Sequence, residues 1–254
     1  MQTAFVTGVS QGFGKAMAQK LLDEGLTVFG CSRTPPDSLL PHERFHWAPL
    51  DLSDLVSLEA RASRMLAGWG IVHFDLVFLN AGRFGPSPRP ATDVSLSDFV
   101  DVLNLNLVAN KALLDVLLRA YAIGHCVLSA SIAGVRLRAG ALSYAVSKAA
   151  LNALAGVYAL EHPDTFFAVV GLCNLHTRLL RDALAGEHVD GLADFAALRE
   201  RARNAAYVTS PAVRAEQLWT LYRQGFEHHL TSGIFQDIRE VARFDGHYMT
   251  NGHH

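Results

Sequence analysis

The chain opens Gln2-Thr-Ala-Phe-Val-Thr-Gly8-Val-Ser-Gln-Gly12-Phe-Gly14, and this stretch decides the fold. Residues 2–7 form a short apolar run that reads as a strand, and from Phe13 a helical spacing takes over through Ala16, Met17, Lys20 and Leu21. Gly8, Gly12 and Gly14 stand at the junction. Glycine there permits a tight turn, lets the backbone approach a pyrophosphate and lets helix pack on strand. The helix N-terminus adds unpaired N–H groups and the positive end of a dipole. A glycine loop that follows a strand and opens a helix has the context this use requires. Gly8, Ser10, Gln11, Gly12, Phe13 and Gly14 are therefore the candidate phosphate-binding loop of a dinucleotide site.

Working outward, strand-like runs at 2–7, 26–31, 45–48, 74–79, 125–130, 166–172 and 231–236 alternate with helical patterns at 13–24, 54–67, 96–120, 141–161 and 211–224. Such alternation predicts a parallel sheet covered on both faces, a doubly wound three-layer α/β fold of Rossmann type. The loop Gly85-Pro86-Ser87-Pro88-Arg89-Pro90 is too short to separate domains, and 254 residues suit a single one. A net charge of -2 leaves no footprint for nucleic acid or an anionic membrane. No apolar run approaches the roughly 20 residues of a membrane span, and a strand beginning at Gln2 leaves no room for a signal peptide. Cys31, Cys126 and Cys173 are scattered on apolar segments and read as reduced core residues. The expectation is a cytoplasmic protein.

The chemistry is announced by Ser143-Tyr-Ala-Val-Ser-Lys148, with Ser131 upstream. If 141–161 is helical, Tyr144 and Lys148 lie on one face. A nearby cation favours the phenolate and lowers the tyrosine's pKa from about 10. A carbonyl reductase needs that from its acid, and an alcohol dehydrogenase from its base. In 96–120 the residues Phe99, Leu103, Asn106, Asn110, Leu113, Leu114 and Leu117 recur at spacings of three and four, an inward stripe. Asp101, Asn104, Lys111 and Asp115 fall on the other face. Asn106 is thus the inward polar residue and Asn104 the solvated one.

With these residues in view, the chain resembles the short-chain dehydrogenase/reductase family from residue 2 to about 177. Thr7-Gly8-x-x-x-Gly12-x-Gly14 matches its cofactor loop and Asn80-Ala81-Gly82 its Asn-Ala-Gly motif. Asp51-Leu52 matches the acidic position that meets the adenine, and Ser131, Tyr144 and Lys148 match the catalytic triplet. The resemblance implies the strand order 3-2-1-4-5-6-7, a nicotinamide cofactor, a small carbonyl or alcohol substrate, and a substrate cap over about 178–210. It gives Asn106 the task of holding a water linked to Lys148, and Lys148 the added task of holding the nicotinamide ribose. After strand six the family's Pro-Gly is replaced by Asn174-Leu175; Thr177 is the residue expected to hold the carboxamide. The helices at 141–161 and 96–120, the former rich in alanine, resemble the family's four-helix interface, so a homodimer or homotetramer is expected.

After strand two, uncharged Ser32 stands where an acidic residue would bind the ribose hydroxyls of NAD, and Arg33 follows it. A guanidinium pairs with a phosphate through two parallel charge-assisted hydrogen bonds, so NADP(H) is expected over NAD(H). Gln11, in the glycine loop, is not the basic residue found there in some NADP-preferring relatives. Three rival readings fit the residues less well. Gly8-Val9-Ser10-Gln11-Gly12 also spells a hydrolase nucleophile elbow, but it follows the first strand, before the strands and oxyanion loop an elbow needs. His42-Glu43-Arg44-Phe45-His46 spells a zinc motif, but extended chain holds its two histidines about 13 Å apart. A redox-sensing binding protein would keep the loop and have no need of an activated phenol.

Overall fold

The computed structural model describes residues 2–204 and 207–241. Its strands are β1 Thr3–Thr7, β2 Thr27–Ser32, β3 Phe45–Pro49, β4 His73–Leu79, β5 Ala122–Ala130, β6 Phe166–Gly171 and β7 Phe235–Asp237, all parallel and ordered β3-β2-β1-β4-β5-β6-β7. The helices are α1 Gly12–Asp23, α2 Leu55–Gly68, α3 Leu96–Leu103, α4 Ala109–Ala120, α5 Leu142–Glu161, α6 Arg178–Leu184, α7 Ala193–Arg201, α8 Pro211–Arg223 and α9 Ile238–Val241. The expected fold and strand order are both observed.

Successive strand residues point to opposite faces, so a sheet covered on both sides needs apolar residues at nearly every position. Val6, Val28 and Phe78 pack beneath Phe13, Met17 and Leu21 of α1 and Leu218 and Trp219 of α8. Their chain neighbours Phe5, Phe29 and Val77 face Leu58 and Leu66 of α2, Leu113 and Leu117 of α4, and Leu151 of α5. The start of α8 was legible because Ser210 accepts a hydrogen bond from the Val213 N–H while Pro211 takes the first helical position, where its missing donor costs nothing.

The structure departs from the sequence reading at several places. The strand expected at 231–236 is confined to β7, because the Thr231 N–H donates to Gln236 Oε1 at 2.7 Å and Gly233 takes a positive φ of 77°, turning the chain first. The helix expected at 96–120 is interrupted by a π-helical turn over Asn104–Val108. Asp115, expected on the solvated face, is 9% exposed. It bonds the Tyr158 hydroxyl from α5, while Lys111 and Arg119, one turn to either side, supply its counter-charges. The cap region also carries helices not read from the sequence, α6 and α7.

Candidate active site

Strand order reverses between β1 and β4, and in open α/β sheets ligands bind at the carboxyl ends beside such a switch point. The strand tips here are tied together. Thr7 Oγ1 accepts the N–H groups of Asn80 at 2.9 Å and Ala81 at 3.1 Å, and the Ser129 hydroxyl donates to Asn80 Oδ1 at 3.0 Å, joining β1, β4 and β5. Gly8 has φ 77°, a conformation L side chains rarely adopt. At Gly14 a Cβ would lie 2.5 Å from the Gly8 carbonyl oxygen and 2.7 Å from Asn80 Nδ2, so only glycine lets α1 dock this closely. Gln11 is the N-cap of α1 but makes no side-chain cap, which leaves the first-turn N–H groups, Phe13 and Gly14 among them, without a side-chain partner. Ser10 lies in the turn just before.

Thr177 borders this loop: its Cγ2 lies 3.5 Å from the place a Cβ on Gly12 would take. It caps α6 by accepting the Leu180 N–H at 3.5 Å. The loop that replaces Pro-Gly is held by residue 209 instead. The Thr209 N–H donates to the Asn174 carbonyl and the His176 N–H to the Thr209 carbonyl, each at 3.0 Å, with Leu175 bridged to Thr209 between them. Cys173 turns the chain with φ 62° and donates its thiol to Asp237 Oδ1 at 2.9 Å.

Tyr144 and Lys148 sit one turn apart on α5, with Lys148 Nζ 5.7 Å from the phenol ring centroid. Ser131, just after β5, accepts the Ala133 N–H at 3.2 Å and lies within electrostatic reach of the Tyr144 phenol. Burial pushes the phenol's pKa up, with the Ser131 hydroxyl working against it. Burial also lowers Lys148 to about 8. The expected lowering of the tyrosine by the lysine is therefore not seen. Lys148 Nζ instead donates to the Ser129 carbonyl at 2.6 Å, and desolvation dominates at both groups.

Asn106 is fully buried, as its place in the stripe predicts. Its Oδ1 accepts the Arg83 N–H at 3.0 Å, and its Nδ2 donates to the Arg83 carbonyl at 2.9 Å and to Ser147 Oγ at 3.0 Å. The Asn106 backbone carbonyl, freed by the π turn, accepts from Asn110 Nδ2 at 2.7 Å. The asparagine thus clamps the chain just after Asn80-Ala81-Gly82. A Cβ on Gly82 would lie 3.0 Å from Asn106 Oδ1 and 3.9 Å from Lys148 Nζ, which places that motif between the two. Ser147, missed in the sequence, completes the link by donating to the Tyr144 carbonyl at 2.8 Å. Its signal was its place beside Lys148 on a buried helix face.

At the other end of the crevice Ser32 closes β2, 8% exposed, donating to the Thr34 carbonyl at 2.7 Å and accepting from Trp47 Nε1 at 3.0 Å. Its hydroxyl is engaged within the protein, while Arg33 is exposed. Asp51 Oδ1 accepts both the hydroxyl and the N–H of Ser53, which hold its carboxyl below the usual range with help from the charge of Arg33. Leu52 is buried beside it.

The segment expected as a cap folds over Tyr144, apart from residues 205 and 206, which lie outside the described residues. Phe195 and Leu198 of α7 join Phe84, Ala141 and Ala145 in an apolar cluster against which Tyr144 packs, its ring 5.2 Å from that of Phe84. Phe84 and Phe195 carried no sequence signal beyond being aromatic. Among the described residues no group of three His, Cys, Asp or Glu is placed to hold a metal ion, and no helix is long and apolar enough to cross a membrane.

Comparison with known proteins adds three findings. The chain matches the pattern of the short chain dehydrogenase family over residues 2–179. It is 27% identical over 161 residues to L-fucose dehydrogenase of Mus musculus and 29% identical over 167 residues to the NADPH-dependent 3-dehydrocapnine reductase of Ornithobacterium rhinotracheale. Each match takes in 61% of this chain and 58% of the relative, so the matched part spans little more than half the length of these relatives. A short chain dehydrogenase from Burkholderia cenocepacia J2315 in complex with NADP has the same fold, with a TM-score of 0.73 at 23% identity over 93% of this chain and 95% of that one.

Proposed function

The chain belongs to the short-chain dehydrogenase family, and we propose that it is an oxidoreductase that interconverts a carbonyl compound and an alcohol with a nicotinamide cofactor, NADP(H) in preference to NAD(H). The observation that carries this reading is the Tyr144 phenol packed under the apolar cap within electrostatic reach of Ser131, with Lys148 one turn away, at the rim of the switch-point crevice. The glycine loop suits a dinucleotide because the first turn of α1 has no side-chain cap and Gly12 leaves open space bordered by Thr177. Gly8, Ser10, Gln11, Gly12, Phe13 and Gly14 would hold the phosphates, Asn80, Ala81, Gly82, Lys148 and Thr177 the nicotinamide half, and Asp51 and Leu52 the adenine. When bound, the nicotinamide supplies or accepts the hydride.

The protein's own part is proton transfer and positioning. Ser131 donates to the carbonyl oxygen and orients it, and the Tyr144 phenol, kept protonated by burial, gives that oxygen a proton in reduction. Lys148 places positive charge beside the phenolate that results. Asn106 holds the backbone at Arg83 and, through Ser147, the turn carrying Tyr144. The cofactor preference is supported by exposed Arg33 beside uncharged Ser32, and by the NADPH dependence named for the 3-dehydrocapnine reductase. Self-association is supported by an apolar groove open to solvent across α4 and α5, lined by Leu107, Val108, Ala150, Ala153, Leu154 and Val157. A buried face of that kind on a second copy of the chain would cover it.

The deciding experiment is Tyr144→Phe. Removing only the proton donor should lower turnover by at least about a hundredfold while cofactor titration stays near wild type. Near-normal turnover in this variant overturns the assignment.

A further inference from the structure

Beside the substrate cap lies an imbalance of charge that proton transfer does not use. Arg138 stands between Ser131 and Tyr144 in the chain, on the turn whose carbonyl accepts the Ala141 N–H at 3.3 Å just before α5 begins. It is half-buried, yet among the described residues no ion pair or side-chain hydrogen bond holds its guanidinium, nor that of Arg136 beside it. The turn packs against the start of α7, where a Cβ on Gly140 would lie 2.5 Å from Leu192 Cδ1 and 3.4 Å from the Phe195 ring, and Asp194, Arg201 and Tyr207 act on Arg138 electrostatically. Asp194, Leu198 and Arg201 recur at helical spacing on one face of α7, and Leu198 packs in the apolar cluster against Tyr144. Among the described residues Arg201 donates only to the Ala197 carbonyl of its own helix, and it lies 5.4 Å from the Tyr207 ring centroid.

Three arginines of the cap itself have acids close by. Arg199 pairs with Asp190 at 2.8 Å, Arg203 with Glu200 at 2.6 Å, and Arg178 faces Asp182 at 3.7 Å. These guanidiniums have an acid within reach, whereas Arg138 has no such partner among the described residues and feels two like charges, Arg136 and Arg201, against a single acid, Asp194. Burial and the charges of Arg136 and Arg201 all lower the pKa of Arg138, so the arrangement disfavours its charge in the absence of an anion. Groups held at such cost gather at binding sites.

We propose that Arg138, with Arg136 and Arg201, forms an anion-recognition site at the substrate mouth, so that the carbonyl compound turned over here carries a carboxylate or phosphate apart from its carbonyl. A guanidinium matches either anion through two parallel hydrogen bonds. The inference rests on the oxidoreductase reading above.

The test compares matched pairs with saturating NADPH: 4-oxopentanoate against its methyl ester, and dihydroxyacetone phosphate against dihydroxyacetone. The anionic member of at least one pair should show a kcat/KM higher by about tenfold to a hundredfold, the range of a hydrogen bond to a charged group. The ratio should shrink in high salt, fall toward one in Arg138→Ala, and be partly kept in Arg138→Lys. Arg203→Ala, on the cap surface, serves as the control and should leave the ratio as it is. Calorimetry of the same anions with cofactor-loaded Tyr144→Phe reads binding without turnover, and Arg138→Ala in that background should abolish it. Equal use of both members of each pair, or a ratio untouched by Arg138→Ala, overturns the anion site and leaves the oxidoreductase reading standing. Turnover of no carbonyl counts against the oxidoreductase reading, and calorimetry then decides the anion site alone.

Discussion

Lys148→Met should change how stability depends on pH, by an amount that can be worked from the site. Burial lowers the ammonium from its ordinary 10.5 to about 8. Below pH 8 folded and unfolded chains both hold the proton, and the folded state bears the full cost of burying the charge. Between about 8 and 10.5 the unfolded chain still holds a proton that the folded protein has released, so wild-type stability rises with pH across that window. At about 1.4 kcal/mol per pH unit the whole effect is about 3 kcal/mol. Methionine keeps most of the volume and carries no charge, so the variant lacks this rise. The variant also leaves the Ser129 carbonyl, 2.6 Å from Nζ in the wild type, without its donor. That loss costs about 1–3 kcal/mol and opposes the gain at neutral pH, but it does not depend on pH.

The quantity to measure is therefore the difference in unfolding free energy between variant and wild type, followed by urea titration from pH 7 to pH 10 without cofactor. It should move by about 3 kcal/mol in favour of the wild type as pH rises, equivalent to a change of roughly 6–12 °C in the Tm gap for a chain of this size. Titrations shared by both proteins cancel in the difference. A gap constant to within about 1 kcal/mol across the window refutes the desolvation argument, and with it the account of why Lys148 holds Ser129 rather than lowering Tyr144.

Arg33→Ala should weaken NADPH by about thirtyfold, corresponding to about 2 kcal/mol, with little effect on NADH, as read by cofactor fluorescence titration; equal loss for both shows that Arg33 does not read the phosphate. Gly14→Ala drives a methyl group to 2.5 Å from the Gly8 carbonyl. It should cost about 1–3 kcal/mol in urea unfolding and weaken either cofactor alike. Val157→Asp, at the solvent-open groove of α4 and α5, should convert a multimer into a species of 27.6 kDa in light scattering; a wild type already at that mass removes the basis for an oligomer.

What was legible in the sequence is what local periodicity and backbone constraint dictate. The glycine loop could be read because a strand, a turn and a helix must follow one another within a few residues there. Tyr144 and Lys148 could be read because their spacing is one helical turn, and Asn106 because it interrupts a stripe of otherwise apolar positions. What was hidden depends on partners far apart in the chain. The stripe does not reveal the π turn at Asn104–Val108, which accompanies the clamp of Asn106 on Arg83. Asp115 looked solvated because its helix neighbours are charged, and only the fold brings Tyr158 to it. Ser32 looked like an open hydroxyl at a cofactor position until Trp47 on the neighbouring strand supplied its hydrogen bond.

The least legible property is the one that bears most on the chemistry. Tyr-x-x-x-Lys suggests a cation acting on a phenol, but the fold buries Lys148 and packs the cap against Tyr144, and desolvation then acts on the two in opposite senses. It holds the proton on Tyr144 and loosens the one on Lys148. At neutral pH the pair therefore rests as phenol and ammonium, the form able to give a proton to a reduced carbonyl oxygen. The enclosure comes from Phe84, Phe195 and Leu198, brought over Tyr144 by the loop after β4 and by the cap. Gly140 permits that approach: a Cβ there would lie 2.5 Å from Leu192 Cδ1 and 3.4 Å from the Phe195 ring. The acid-base character of the site is thus set as much by how closely α7 packs on the turn before α5 as by the tyrosine and lysine themselves.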